Sequence, residues 1–215
     1  MKFSDLQAIF FDFDGVILDS TSIKTETFKS MFKKYGDEVV NNVIDHHLKH
    51  GGISRVEKIK YYHEHFLNDP VSGEHLTVLA EEFSSMVKDQ VVAADWISGA
   101  ESFLKKFHRQ LKLYVISGTP QSELLEIVNR RCMTDYFQEV LGSPTKKPDH
   151  VRRILGINNF SPEKCIFVGD ALTDLNAARE TGTRFIGIQG EVTFPDGTIV
   201  LPDCKGLETE IKSII

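Results

Sequence analysis

The apolar positions of this chain change period twice. Ala8-Ile9-Phe10-Phe11 is a continuous apolar run of strand length, ended abruptly by Asp12, Asp14 and Gly15. Such a run predicts a buried parallel strand with two carboxylates at its C-terminal end. Helical spacing then takes over. Phe28, Met31, Phe32 and Tyr35 predict a helix capped by Ser20 or Thr21 and stopped at Gly36. Val39, Val40, Val43, Ile44 and Leu48 repeat the pattern up to Gly51-Gly52. Ser54-x-x-Glu57 reads as a capping box for a third helix with Val56, Ile59, Tyr62 and Phe66 inward, broken at Asn68-Asp69-Pro70. Leu76, Leu79, Ala80, Phe83 and Val87 predict a fourth.

Beyond Trp96, strands and helices alternate, as they do in a parallel sheet. Ser98-x-x-Glu101 predicts a capped helix carrying Phe103, Leu104 and Phe107. Leu111 to Ile116 predicts a strand ending at Ser117-Gly118-Thr119-Pro120, followed by a helix with Leu124, Leu125 and Val128 inward. Glu139 to Leu141 predicts a short strand, and Ser143 to Pro148 a loop. Cys165 to Val168 predicts a strand ending at Gly169-Asp170, then a helix from Leu172 to Thr181 stopped by Gly182, then a strand from Arg184 to Ile188. Pro195-Asp196-Gly197 marks a turn before an edge strand within Thr198 to Leu201. The expected architecture is α/β: a Rossmann-like parallel-sheet core, residues 1–18 and 95–215, interrupted by a four-helix cap, residues 19–94, that covers the carboxylate-bearing end as a lid.

Composition narrows the partners. With 41% hydrophobic and 26% charged residues the chain reads as an ordinary globular protein. A formal net charge of −6 argues against nucleic acid as an obligatory partner. Cys132, Cys165 and Cys204 have no paired spacing, so neither a disulfide framework nor a cysteine metal site is expected. No leader-like segment precedes Ala8 and no run of membrane-spanning length occurs, so a reduced, cytoplasmic setting without membrane association is expected.

Polar clusters recur at predicted strand ends: Asp12 and Asp14, Ser117-Gly118, Lys147, and Asp170 with Asp174. Asp12 to Gly15 could open a calcium loop, but the twelfth position is Ile23 where that loop needs a Glu. Carboxylates for a hard divalent cation, a hydroxyl, backbone N–H donors and an ammonium together suit a phosphoryl group. In the cap, His46, His47, His50, His63 and His65 are dense, and His46 and His50 lie at metal-ligand spacing, but a solvated helix surface is the expected explanation.

These four clusters resemble, in order and over essentially the whole length, the motifs of the haloacid dehalogenase superfamily: Asp12-Phe13-Asp14-Gly15, Ser117, Lys147-Pro148, and Gly169-Asp170-Ala171-Leu172-Thr173-Asp174. The resemblance implies Asp12 as the nucleophile that forms an aspartyl-phosphate and Asp14 as the acid and then the base. It implies Mg2+ held by the Asp12 carboxylate, the Asp14 carbonyl and Asp170, with Asp174 in support, and phosphate held by Ser117, the Gly118 N–H and Lys147. Asp14 favours phosphoryl transfer over dehalogenation, because a departing halide needs no proton. Gly52-Ile53-Ser54-Arg55 resembles a segment that carries a substrate-contacting Arg, which would make Arg55 a substrate ligand rather than a solvated side chain. Lys24 stands where some mutases carry His, which weakens a mutase assignment. Lys146 is expected to be a surface charge.

The function expected is a magnesium-dependent phosphatase of a small phosphorylated metabolite, a sugar phosphate or a short-acid phosphate. The alternatives are a phosphomutase, a receiver-type signalling switch and a catalytically idle binding module. The long gap between Asp14 and Ser117 counts against the receiver.

Overall fold

The computed structural model describes every residue except Met1, Lys2 and Ser4. Six parallel strands form one sheet in the order β3-β2-β1-β4-β5-β6. They are β1 (Ala8–Phe11), β2 (Leu113–Pro120), β3 (Glu139–Ser143), β4 (Cys165–Gly169), β5 (Arg184–Ile188) and β6 (Val200–Leu201). β1 is central because it is buried on both faces: Ile9 and Phe11 pack to one side, Ala8 and Phe10 to the other. On the first side lie α5 (Ala100–Phe107), α6 (Gln121–Arg130) and α9 (Leu207–Ile214), contributing Phe103, Leu124 and Ile211 among others. On the second lie α7 (Lys147–Asn158) and α8 (Leu172–Thr181), contributing Val151, Ile154 and Ala178.

The chain leaves β1 toward β2 and β3, then returns to β4 on the opposite side of β1. The carboxyl ends of β1, β2 and β4 therefore meet at a topological switch point, the place where open α/β sheets leave a crevice for ligands. Between β1 and α5 stand α1 (Thr21–Phe32), α2 (Asp37–Lys49), α3 (Arg55–His65) and α4 (Gly73–Ala93), packed around Phe28, Tyr62 and Phe83. These helices bear on the sheet's carboxyl end through the Gly51-Gly52 turn, where Thr173 Oγ1 donates to the Gly51 carbonyl at 2.8 Å.

Several local expectations change in the folded chain. The segment read as a loop through Pro148 contains the first turn of α7, and α7 itself was missing from the expected elements, as was α9. The signal for α7 is Val151, Ile154 and Leu155 at helical spacing behind Pro148. Ser98 caps nothing: α5 is preceded by Gly99 in the left-handed conformation, with no side-chain cap. Val56 and Leu125, expected inward, are exposed, because α3 and α6 turn Ile59, Leu124 and Ile127 to the core instead. Ser54 does cap α3, accepting from the Val56 N–H. Ser20 sits at the start of α1 but spends its hydroxyl elsewhere.

Candidate active site

Asp12 follows directly on β1 and is almost completely buried, with its N–H donating to the Val168 carbonyl of β4 at 2.9 Å. Lys147, in the first turn of α7 behind β3, reaches across the sheet end. Its Nζ lies 3.0 Å from Asp12 Oδ1 and 2.6 Å from Asp174 Oδ1. Asp174 Oδ2 also accepts from the Ala171 N–H at 3.1 Å, closing the N-terminus of α8. Asp174 is thus an orienting carboxylate with both oxygens engaged. Lys146 is exposed, so Lys147 is the site lysine.

Burial is the largest influence on Asp12, raising its carboxyl to about 7 against the opposing charge of Lys147, with the carboxylates of Asp174 and Asp14 pushing it further up. Asp170 is likewise raised well above the carboxylate range by burial and then by Asp12 and Asp174. The same charges hold the Lys147 ammonium above its usual value despite burial. Carboxyls raised in this way mark a place where negative charge is in excess.

Asp14 has a different environment one residue away. Its Oδ1 accepts from Ser20 Oγ at 2.6 Å, and its Oδ2 from Lys24 Nζ at 2.5 Å and Thr119 Oγ1 at 3.1 Å. Burial alone would raise this carboxyl, but Lys24 and the three hydrogen bonds hold it below its usual value. Two aspartates on one turn therefore have their proton affinities driven apart. The turn between them and α1 requires Gly15: its φ is 75°, and a Cβ there would stand 2.2 Å from Asp170 Oδ2.

Ser117, in the C-terminal half of β2, is buried with its Oγ accepting from the Thr119 N–H at 3.1 Å. Gly118 follows, so close beneath the Gly51-Gly52 turn that a Cβ would lie 2.4 Å from the Gly52 carbonyl oxygen. A small cavity of about 80 Å³ joins Asp12, Asp14, Ser117, Gly118 and Asp170 to the helical insertion.

The residues fit a hard divalent cation. Carboxylate oxygens of Asp12, Asp170 and Asp174 lie within 4.8 Å of one another. These three carboxyls share one ammonium, that of Lys147, and the resulting excess of negative charge is a cost that a cation would remove. The Asp14 side chain points to Lys24, Ser20 and Thr119 and is outside this group, which leaves its backbone carbonyl for such a role.

Arg55 lines the same cavity but is not free in it. Its two terminal nitrogens bind Glu123 of α6 at 2.8 and 2.5 Å, one also reaches Ser84 at 2.8 Å, and the guanidinium lies 4.5 Å from the Phe83 ring centre. It is therefore buried rather than solvated, and joined to the core. Of the histidines expected at the surface, His47 and His63 are buried instead, while the rings of His46 and His50 stack at 4.0 Å.

The arrangement also brings in Thr119, Lys24, Lys58 and Glu123, whose roles were not read from sequence. Thr119 stands two residues past Ser117 and Lys58 one turn past Arg55 in α3, spacings that hint at shared location. Nothing local announces Glu123, because its partner comes from a different helix.

A model of haloacid dehalogenase-like hydrolases matches residues 9–188. The chain belongs to this family. The phosphorylated carbohydrates phosphatase of Thermotoga maritima is 25% identical over 98% of this chain and 100% of its own length. The phosphoglycolate phosphatase of Psychrobacter arcticus is 27% identical over 86% of this chain and 84% of its own. Among solved structures, a β-phosphoglucomutase from Clostridium difficile superposes with a TM-score of 0.79 at 22% identity, over 97% of this chain and 96% of that one, which establishes a shared fold. No helix among the described residues is long and apolar enough to cross a membrane.

Proposed function

We propose that this hydrolase is a phosphatase that cleaves a small phosphorylated metabolite in two steps through an aspartyl-phosphate. The observation that carries the reading is Asp12, buried, with Oδ1 3.0 Å from the Lys147 ammonium and lining a cavity that Ser117 and Gly118 also line. The relatives named as phosphatases of phosphoglycolate and of phosphorylated carbohydrates support the substrate class. Helices α1–α4 serve as the cap over this centre.

In the first step an Asp12 carboxylate oxygen attacks phosphorus, the ester P–O bond breaks, and Asp14 gives a proton to the departing alcohol. In the second, Asp14 takes a proton from water, water oxygen attacks phosphorus, and phosphate leaves with Asp12 restored. Lys24 works against the protonated form of Asp14 and favours the carboxylate that the second step needs. Bringing a carboxylate to a phosphate costs roughly 4 kcal/mol per unit-charge pair at about 4 Å and an effective dielectric near 20. Lys147 offsets part of that, and Ser117 with the Gly118 N–H receives the phosphate oxygens. Asp12, Asp170 and the Asp14 carbonyl, with Asp174 in support, would hold Mg2+, which would supply the remaining positive charge. Arg55 forms part of the substrate wall while Glu123 holds it in place.

The test is phosphate release from an aryl phosphate with Mg2+. The wild type is expected to turn over and Asp12→Asn to lose activity by at least about 1,000-fold. Full activity in Asp12→Asn would refute the covalent route. Isomerisation of a sugar phosphate without free phosphate would assign the chain to the mutases instead.

A further inference from the structure

Three cations line the cavity and a fourth, Lys147, stands against Asp12 beside it; all but one are neutralised within the protein. Lys147 faces Asp12 and Asp174, Lys24 faces Asp14, and Arg55 faces Glu123. Lys58 of α3 is the exception among the described residues. It is 2% exposed and lines the cavity, yet its Nζ contacts only His47, at 2.8 Å from Nδ1 and 3.1 Å from the backbone carbonyl oxygen. Both contacts are acceptors, so two of the three ammonium N–H groups are used and one is left. The charge is left uncompensated.

A buried cation without a counter-charge is costly, and a fold retains one at a ligand site when the ligand brings the missing charge. Burial first, and the charges of Lys24 and Lys147 next, lower the Lys58 ammonium to about 7. Those charges act on Lys58 because it stands near the reaction centre. Burial and the neighbouring Lys58 also lower His47, to about 3, which keeps its ring neutral and its Nδ1 lone pair available to hold the ammonium.

Resting on the phosphatase reading, we infer that Lys58, held by His47, receives a carboxylate at the far end of the substrate, so that the enzyme selects short phosphorylated carboxylic acids over phosphate esters with neutral tails. One remaining N–H on a point charge suits a carboxylate oxygen. The planar fork best matched to a second phosphate belongs to the arginine of this wall, which is already committed to Glu123. The small cavity keeps the two ends of the substrate close together. Lys58 is thus a specificity residue that meets the substrate tail and not the reacting atoms, and its contribution falls on the acid substrate alone.

The experiment compares 2-phosphoglycolate with 2-hydroxyethyl phosphate, equal in length but uncharged at the tail, in wild type, Lys58→Met and Lys58→Gln. The wild type is expected to favour phosphoglycolate in kcat/KM. Both variants should lose about 100-fold on it, mostly through KM, while hydroxyethyl phosphate changes less than about threefold. Equal losses on both esters, or none on phosphoglycolate, overturn the inference. A parallel arm measures calorimetric binding of 2-phosphoglycolate to Asp12→Asn with and without Lys58→Met. A fall of about 100-fold in affinity supports the role of Lys58 even if the wild type releases no phosphate, an outcome that would sink the phosphatase reading alone. Unchanged affinity refutes the role of Lys58 in either case. Thermal unfolding of the variants confirms that they fold, since removing an unpaired buried charge is expected to leave Tm equal or higher.

Discussion

The ion pair between Arg55 and Glu123 fastens α3 to α6, and both side chains are 4% exposed. In Arg55→Met the Glu123 carboxylate stays buried without its partner, and in Glu123→Leu the guanidinium does. Breaking a buried pair from one side costs about 3–5 kcal/mol, whereas replacing both partners by apolar groups is close to neutral. The two sides are not equivalent. A stranded carboxylate can take up a proton, but a stranded guanidinium cannot give one up, so Glu123→Leu is expected to be the more damaging. Ser84 and the Phe83 ring soften that loss only partly, because neither carries a charge. For a chain of this size about 2–4 °C of Tm accompanies each kcal/mol, so each single variant should fall by roughly 6–20 °C. The double variant should return most of the way. Scanning calorimetry on all four proteins gives the coupling energy, expected at about 3 kcal/mol or more. Single losses below about 1 kcal/mol that add in the double variant would refute the idea of a desolvated clasp.

Binding of Mg2+ should be proton-linked. Asp12 is raised to about 7 and Asp170 is raised as well, so below that pH protons compete with the cation, and the apparent Kd for Mg2+ should rise at least tenfold per pH unit below about 7. A Kd that stays flat between pH 5 and 7 by titration calorimetry would contradict this. By the same shift, the metal-free protein loses stability as pH rises from about 4 to 7, because the folded state must give up the proton that Asp12 holds more tightly than in the unfolded chain. Mg2+ at 100 times its Kd should add about 2.7 kcal/mol, seen as a higher Tm that EDTA reverses. Lys24→Met removes the charge that holds the Asp14 carboxyl low, so the acidic limb of the kcat–pH profile should move to higher pH; an unmoved limb would show that Asp14 is not the base. Lys147→Met should abolish phosphate release and lower Tm, because it strands Asp12 and Asp174 together in the protein interior.

Order and type of element were legible wherever local pattern decides them. The apolar run Ala8–Phe11 reads as a strand buried on both faces, and Phe28, Tyr62 and Phe83 each belong to an apolar series at helical spacing within its own helix. Gly36 and Gly182 end helices because each stands at positive φ. The four polar clusters at strand ends were legible too, since a carboxylate after a buried strand has to be near the sheet's carboxyl edge. α7 and α9 were missed because each shows its apolar stripe over barely two turns, and the loop character of Ser143 to Pro148 masked the start of the first.

Charge partnership was decided by tertiary structure alone. Lys24 on Asp14, Arg55 on Glu123 and Lys147 on both Asp12 and Asp174 join residues from separate elements, and no spacing along the chain encodes those distances. Arg55 and Lys58 occupy the same helix one turn apart, and the sequence pointed to Arg55 alone as a substrate contact. Only the docking of α3 against α6 neutralises one and leaves the other buried without a counter-charge. Sequence by itself determined which chemical groups exist and which strand ends carry them, because the backbone period and local sterics act within a few residues. How strongly each group holds its proton, and which charge remains for a substrate, depended on burial and on neighbours brought together by folding, since desolvation and Coulomb forces act through space.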